Sequence, residues 1–276
     1  MFKKFVLLVF IAVTAFQAQA QYTDSYVQEG EIGGALGLAH YFGDLNTRAA
    51  INRPKFSGGI FFRKQLNNYI ALKLAGNYAL VGYSDIYSKN EVQRRRNLSF
   101  NSNIWELALS GEFNFFRFIP GVEGYNYTPY VSLGLGLFSY DPYTYLDGNK
   151  YYLRSIGTEG QGSTAYPGRK PYGSTAMCIP LAVGFKYAVN PSFNVFAELG
   201  YRFTTTDYLD DVSSTYAPDA FVAGSIPYLL QDRSYETGTP VGIKGRQRGN
   251  SSQKDAYVIF QVGFSFNLSS YRCPTP

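Results

Sequence analysis

The sequence predicts an all-β fold, an eight-stranded antiparallel barrel that spans a membrane, on three observations. The composition combines 25 Tyr and 22 Phe with only 16% charged residues and a mean hydropathy of −0.17. Eight segments alternate apolar with small or polar residues, and the connections between them alternate in length. In a membrane barrel only every second residue of a strand faces lipid, so the mean hydropathy stays low.

The N-terminal residues indicate export. Lys3 and Lys4 precede an apolar run over 5–16, and residues 18–20 form a small-x-small cleavage site, the pattern of a secretory signal peptide. No later stretch approaches about 20 consecutive apolar residues, so no transmembrane helix is expected. We therefore expect an outer-membrane, multi-pass protein after cleavage of the signal peptide. The predicted divisions are a signal peptide at 1–20, a short periplasmic segment at 21–30, the barrel at 31–268 and a periplasmic tail at 269–276.

A period of two defines the strands. In the clearest segment, Trp105 and Leu107 alternate with Glu106 and Ala108. The first segment has small residues on one face, which suits a narrow barrel whose interior must be filled without clashes. A soluble β-sandwich is the alternative, but its outer faces would carry more charge. The eight predicted strands are 32–42, 56–65, 69–81, 105–115, 131–137, 179–187, 193–203 and 258–268.

The connections predict the orientation. Two are tight turns, at Asn67-Asn68 and at Asn190-Pro191. Outer-membrane barrels have short periplasmic turns, long external loops and periplasmic termini, so the long connections are expected outside. One turn, 117–128, is long for the periplasmic side. The predicted external loops are 43–55, 82–102, 141–177 and 204–254.

The same alternation points charged side chains into the lumen. An eight-stranded barrel is filled by its own side chains, so these charges must pair with each other. We expect Lys73 and Glu112 to lie low on neighbouring strands, and Arg202 and Glu106 to lie higher, across the lumen. Acid–base chemistry is the alternative use of such a set. The predicted lumen residues are Lys73, Glu106, Glu112, Lys186, Glu198 and Arg202.

Other features bound the function. The net charge of +5 includes two signal lysines, which leaves 23 − 20 = +3, too little to indicate nucleic-acid binding. His40, the only histidine, is predicted to face lipid near the outer end of the first strand, as an anchor or as the catalytic residue of a lipid-modifying enzyme. One histidine and two distant cysteines cannot make a usual zinc site. We expect no enzyme activity, cofactor or metal.

Two external segments carry clustered charge. Asp207, Tyr208, Asp210 and Asp211 open the last external loop, where they are expected to structure the loop through Asx-type turns or, alternatively, to bind calcium. The run 94–96 holds three arginines, predicted to form a solvated loop face or to pair with headgroup phosphates.

The two cysteines are not expected to pair. Cys178 begins a descending strand at the outer rim, whereas Cys273 lies in the periplasmic tail. The apolar band separates these ends by roughly 25 Å, and a disulfide requires Cα atoms within about 7 Å.

Three stretches resemble the PorG-like outer-membrane proteins of Bacteroidetes. They are 31–46 in the first strand and its loop, 129–136 in the fifth strand, and 179–187, followed by 198–202 and 205–213, across the sixth and seventh strands. The most specific part is the run Thr-Thr-Asp-Tyr-Leu-Asp-Asp at 205–211. The resemblance implies a non-enzymatic component of the type IX secretion and gliding machinery. It also implies contact with the periplasmic ring built of the lipoprotein PorK and its partner PorN.

The long periplasmic turn offers a surface for such partners. Exposed apolar and aromatic residues there suit protein contacts or, alternatively, anchoring at the membrane interface. A stand-alone OmpA-like barrel that binds ligands through its loops is the alternative function, followed by a lipid-modifying enzyme. Outer-membrane lipids and ring proteins are the expected partners, with no nucleic acid and no small-molecule substrate. The predicted contact residues are Phe118, Ile119, Tyr125, Tyr127 and Cys273.

Overall fold

All eight predicted strands form, and most extend beyond their predicted ends. The computed structural model describes residues 28–269. The predicted signal peptide, most of the segment 21–30, and the tail with Cys273 lie outside the described residues. The ten strands are β1 (Gln28–Phe42), β2 (Lys55–Gln65), β3 (Ile70–Ser84), β4 (Ser99–Asn114), β5 (Tyr127–Ser139), β6 (Tyr143–Leu146), β7 (Asn149–Tyr152), β8 (Thr175–Asn190), β9 (Phe193–Thr204) and β10 (Ala256–Ser269).

Eight of these strands close into a ring. Each pairs antiparallel with its neighbour in the order β1-β2-β3-β4-β5-β8-β9-β10, and β10 pairs back to β1. Closure satisfies the backbone of every strand and leaves no open sheet edge, as a membrane interior requires. The predicted eight-stranded antiparallel barrel is therefore confirmed. The sequence did not predict the hairpin β6–β7, which lies within the connection between β5 and β8 and meets β4 at Asn101.

The outer face of the barrel is a continuous apolar belt. Alternate residues of each strand point outward, and large ones such as Leu36 (67% exposed) and Ile60 (73% exposed) are open to the surroundings. Soluble proteins rarely expose a contiguous apolar patch above a few hundred Å². This belt is therefore the lipid-facing surface of a membrane barrel. Each barrel strand contributes to it, through Leu36, Ile60, Leu72, Leu107, Leu135, Val183, Leu199 and Val262.

The two ends of the barrel differ. Connections at the end here called the turn end are short, apart from residues 115–126 between β4 and β5. The opposite end, the loop end, carries four long segments, 43–54, 85–98, 140–174 and 205–255. No helix of the described chain is long and apolar enough to cross a membrane. Short helices in the long segments are α1 (Glu91–Arg96), α2 (Leu153–Ile156) and α3 (Ile226–Gln231), with 3-10 turns at Asp85–Tyr87, Pro218–Ala220 and Ser234–Glu236.

The long segments fold into a cap with a core of its own. Leu45 and Leu98 come from one segment each, and Leu209 and Leu230 come from a third segment. All four are at most 4% exposed, and they join one apolar cluster with inward residues of the barrel rim such as Tyr257. Because this cluster is continuous with the barrel, the cap is a packed layer over the loop end.

Candidate functional site

The lumen holds four cationic and four anionic side chains. Six of them were predicted, whereas Arg63 and Glu31 were missed. Arg63 Nη1 lies 2.6 Å from Glu31 Oε2. Glu31 stands one residue before the predicted first strand, and the inward face of the second was not followed to Arg63. Extending the period of the first strand by one step, and following the inward positions within the second strand, would have found both. The cations are Arg63, Lys73, Lys186 and Arg202, and the anions are Glu31, Glu106, Glu112 and Glu198.

Glu112 is the centre of the set nearer the turn end. Its carboxylate lies 2.8 Å from Arg63 Nε and 3.5 Å from the ammonium groups of both Lys73 and Lys186. Lys73 has a shorter contact, 2.5 Å, with Glu198 on β9 across the lumen. Lys73 therefore bridges two carboxylates, where the sequence predicted only one partner. Such multiple pairing lets full charges stay inside the barrel.

Glu106 is the centre of the set nearer the loop end. Its carboxylate lies 3.3 Å from Arg202 Nε. It also accepts hydrogen bonds from the hydroxyl of Tyr257 at 2.6 Å and from the amide of Asn77 at 2.8 Å. Cys178 points inward, with its thiol 3.7 Å from the same carboxylate. With these donors the carboxylate is fully engaged, which favours a structural role over acid–base catalysis.

The two charge sets leave little space between them. The void that they line, with Phe61 and Phe196 on its wall, measures about 20 Å³. That volume is on the order of one water molecule. The lumen is therefore a filled interior and gives no continuous path for a solute.

At the turn end, the connection 115–126 folds across the barrel opening. Phe118 is 3% exposed, and its ring lies 4.9 Å from Nζ of Lys186, so this residue plugs the lumen. The backbone of Phe118 also bonds to the carbonyl of Asn68 in the β2–β3 turn. Phe118 was predicted as a partner contact and that prediction is wrong: the turn bends inward there, because the ring fills the opening over a buried cation.

The tip of this connection is exposed. Ile119 and Tyr125 share a backbone hydrogen bond of 2.8 Å, and Val122 lies on the turn between them. Gly121 has φ +86°, and a Cβ there would lie 2.7 Å from Cγ of Pro191 in the β8–β9 turn. Tyr125 is 40% exposed, and Tyr127 is exposed at the start of β5. The tip is thus a fixed surface supported by both neighbouring turns.

At the loop end, Arg96 joins its own cap segment, 85–98, to two others, 43–54 and 205–255. Its guanidinium makes two hydrogen bonds to the Asp85 carboxylate, at 2.7 and 2.8 Å, and donates to the backbone carbonyls of Arg248 and Asp44. Burial raises the pKa of Asp85, and the Arg96 charge opposes this shift. The prediction that the run 94–96 is exposed throughout is wrong for Arg96, because helix α1 turns its last residue into the cap. Arg94 stays exposed.

Arg248 and Glu159 join the two longest segments. Arg248 Nη1 donates to Glu159 at 3.1 Å and to the backbone carbonyl of Asp211. Glu159 in turn accepts from the backbone N–H groups of Ser213 and Ser214. Neither charged residue was singled out in the sequence, since their segments show no periodicity and only the tertiary fold brings them together.

The predicted aspartate cluster is buried under this layer. Asp210 accepts a 2.5 Å hydrogen bond from the hydroxyl of Tyr41, and Asp255 lies 3.1 Å from the same hydroxyl. Burial, together with repulsion from nearby carboxylates, raises the pKa of Asp210 and of Asp255 well above the usual range. Burial also raises the pKa of Asp207 and of Asp211 to about 6.

The cluster does not converge on one point. Asp207 accepts from the Ser213 hydroxyl at 2.6 Å, whereas Asp211 accepts from the hydroxyls of Thr158 and Tyr172. Tyr208 stacks on Tyr172, with ring centroids 4.4 Å apart. Within residues 28–269, no group of three or more His, Cys, Asp or Glu side chains is placed to hold a metal ion. The arrangement favours the loop-structuring interpretation over calcium binding.

His40 does not face lipid, contrary to the prediction. It is 2% exposed because β2 begins only at Lys55, opposite Ala39, and residues before Lys55 cover the end of β1. Its Nδ1 lies 2.9 Å from the Tyr41 carbonyl, and its Nε2 accepts from the backbone N–H of Asn52 at 3.3 Å. Across the described chain, both ring nitrogens have only backbone partners, so no Ser or acid forms a catalytic pair with His40.

Several solved structures of outer-membrane barrels are similar to this chain. The N-terminal β-barrel domain of Pseudomonas aeruginosa OprF is 13% identical, with a TM-score of 0.38 over 87% of this chain and 98% of that one. Neisserial surface protein A is 13% identical, with a TM-score of 0.42 over 87% and 97%. P. aeruginosa OprG is 11% identical, with a TM-score of 0.39 over 88% and 98%.

Sequence comparison places the chain in a family. No curated protein is significantly similar to it. The model of a domain of unknown function, DUF6089, matches residues 3–223, which is most of the chain and includes β1 to β9. The chain, which folds as an eight-stranded antiparallel barrel, belongs to the DUF6089 family.

Proposed function

We propose that the protein is a non-enzymatic membrane anchor for a protein assembly, the type IX secretion and gliding machinery, and that it holds the periplasmic PorK/PorN ring. The filled lumen carries this proposal. A barrel plugged by eight mutually paired charges and closed by Phe118 is not a conduit for cargo. What the molecule offers to partners is its two ends. The resemblance of 205–211 to the PorG-like proteins supplies the identity of the assembly.

The turn end is the proposed contact with the ring, with the loop end outside the cell. Support comes from the tip of the 115–126 connection, where Val122 (42% exposed) and Tyr125 present apolar surface on a backbone that hydrogen bonds hold fixed. A preorganised apolar tip loses little conformational entropy when a partner covers it. Phe115 and Phe116 at the base of the connection point outward, where they suit the membrane interface.

A pull-down from solubilised outer membranes tests this proposal. The tip variant carries Val122→Ser and Tyr125→Ser and keeps Phe118, because removing that plug would disturb the lumen. The control carries Leu66→Ser and Tyr69→Ser on the neighbouring β2–β3 turn, which likewise pairs one exposed aliphatic residue with one exposed tyrosine. We expect the ring proteins to co-purify with the wild type and the control and to be lost from the tip variant.

Heat-modifiable gel mobility checks that each variant is folded. If a folded tip variant still retains the ring proteins, the contact lies on another surface of the molecule and the proposed tip contact is wrong. If mass spectrometry finds no ring protein with the wild-type chain, the type IX assignment itself is wrong.

A further inference from the structure

The cap separates its charges between surface and interior. Among exposed residues of the four long segments, ten are basic and four are acidic, whereas among buried ones two are basic and seven are acidic. The modest net charge of the chain hides this separation. The exposed bases are Arg48, Arg53, Lys89, Arg94, Arg95, Lys150, Lys170, Lys244, Arg246 and Lys254, and the exposed acids are Glu91, Asp147, Asp219 and Glu236. The buried bases are Arg96 and Arg248, and the buried acids are Asp85, Glu159, Asp207, Asp210, Asp211, Asp232 and Asp255.

A pocket of about 440 Å³ opens in this surface. Segments 43–54, 85–98 and 205–255 line it together. The volume falls within the roughly 300–1,000 Å³ of small-ligand sites. It suits one or two sugar rings better than a peptide segment or a lipid chain.

The floor of the pocket is rigid and cannot supply charge to a ligand. Arg96 and Arg248 line it, but their guanidinium groups are held by Asp85, Glu159 and backbone carbonyls of the cap. Asp44, also on the wall, accepts a 2.7 Å hydrogen bond from the backbone N–H of Asn250. The acidic interior behind this floor favours hydrogen-bond donors over anions at the deep end of the pocket.

The rim of the pocket, unlike the floor, carries cationic groups that are available to a ligand. Arg95 and Arg246 are exposed there, and neither forms a salt bridge within residues 28–269. Gln247 and Gln253 also line the pocket, and no hydrogen bond of their side-chain amides is found in the described chain. Guanidinium groups bind carboxylates or sulfates, and amides match the donor–acceptor pattern of sugar hydroxyls.

We propose that this pocket binds an acidic saccharide, with the anionic group at the Arg95–Arg246 rim and ring hydroxyls among Gln247, Gln253 and the floor. The ligand class follows from the different chemistry of the rim and the floor of the pocket. A bare anion would contact only the arginines of the rim, and a neutral sugar would leave those arginines without an anionic partner. Lipopolysaccharide of the same membrane and a soluble acidic glycan share this chemistry. The place where the protein would meet this ligand, outside the cell, rests on the proposed orientation of the loop end. Binding of the saccharide by the purified chain does not depend on that orientation.

Calorimetry on the full chain in detergent micelles tests the site. The probes are digalacturonate, its neutral methyl ester and inorganic sulfate. We expect digalacturonate to bind at least about tenfold more tightly than either of the others, because one good charge-assisted contact contributes about 1.5–3 kcal/mol and 1.4 kcal/mol is tenfold.

Two double variants separate the pocket from the general surface charge. Arg95→Gln with Arg246→Gln should weaken digalacturonate binding at least about tenfold. Arg94→Gln with Lys170→Gln removes the same charge outside the pocket, and Arg94 lies on the same helix, so this control should bind like the wild type. Gln247→Ala with Gln253→Ala should weaken the saccharide and leave sulfate binding unchanged.

Equal losses in the two arginine-containing variants, or sulfate binding as tight as that of the disaccharide, would overturn the proposal. So would the absence of digalacturonate binding to the wild-type chain. Competition by the deacylated core oligosaccharide of lipopolysaccharide would support the site and name the membrane as its source, while digalacturonate binding without that competition would support a soluble glycan. None of these results depends on the ring proteins, so failure here is distinct from failure of the anchor proposal.

Discussion

At the residue scale, Glu112 shows how this barrel keeps charges inside a membrane. One fully buried carboxylate lies within 3.5 Å of three cations, each from a different strand. Desolvation of a buried charge costs several kcal/mol, which close opposite charges must offset. Removal of the shared partner therefore affects Arg63, Lys73 and Lys186 together.

We predict that Glu112→Gln lowers the free energy of unfolding by about 3–5 kcal/mol, the usual cost of breaking a buried ion pair. Urea unfolding of the barrel refolded in detergent, followed by tryptophan fluorescence of Trp105, measures it. Asp219→Asn is the control: its pair with Lys244 is exposed, and water screens such pairs, so no change is expected. Equal stability of Glu112→Gln and wild type would show that the lumen charges are not coupled as the distances indicate.

At the scale of one element, the segment 205–255 is fastened at both ends by carboxyl groups. Near its start, Asp210 bonds to Tyr41 of β1, and at its end Asp255 meets the same hydroxyl and accepts from the backbone N–H of Leu209. Asp44 from the first segment and Asp207 face these groups, with Lys254, Arg248 and Glu159 close by. Carboxyl groups outnumber the cations, so proton binding relieves their repulsion.

This arrangement predicts a cap that is more stable in mild acid. The folded pKa values of Asp207 and Asp211 are about 6. In the opened segment they are about 3.9. A raised folded pKa means that the closed cap binds more protons, so its stability is greatest below the unfolded value and falls as pH rises through about 6. Hydrogen exchange of residues 205–255 should therefore be slower at pH 5 than at pH 8, after correction for intrinsic rates.

Asp255→Asn should weaken this pH dependence, because a neutral amide replaces a carboxyl that burial and repulsion make hard to ionise. Asp219→Asn, on the exposed surface, should leave it unchanged. Faster exchange at pH 5 than at pH 8 in the wild type would contradict the direction.

At the scale of the whole molecule, three separate layers block the path through the barrel. Phe118 covers the turn end, the paired charges fill the lumen, and the cap covers the loop end. Each layer is held by contacts between different strands or segments, so opening one does not open the others.

We therefore predict no steady ion conductance. The protein refolded into a planar bilayer should show no discrete current steps under an applied voltage, because no water-filled path crosses a lumen whose central void is about 20 Å³. Heat-modifiable gel mobility of the same sample confirms that the barrel is folded. Reproducible steps from the folded sample would contradict the filled interior and, with it, the argument against a conduit.

The barrel could be predicted because its signal is local. Strand alternation depends on whether each residue faces lipid or lumen, so Trp105 outside and Glu106 inside are readable from their neighbours alone. The partner of each lumen charge was harder to predict from the sequence. The nearest carboxylate to Lys73 is that of Glu198, 125 positions away in the chain. This contact depends on barrel closure and strand register.

The sequence alone thus determined the eight strands, their inward and outward faces and six of the lumen charges, since a membrane imposes one strict pattern on every strand. Tertiary structure alone decided the fate of the irregular segments. His40 and Arg96 become buried, Phe118 turns into the lumen, and Glu159 meets Arg248, because loops without a repeating pattern are ordered by contacts between distant parts of the chain. The same folding separates acidic interior from basic surface and forms the pocket between Arg95 and Arg246.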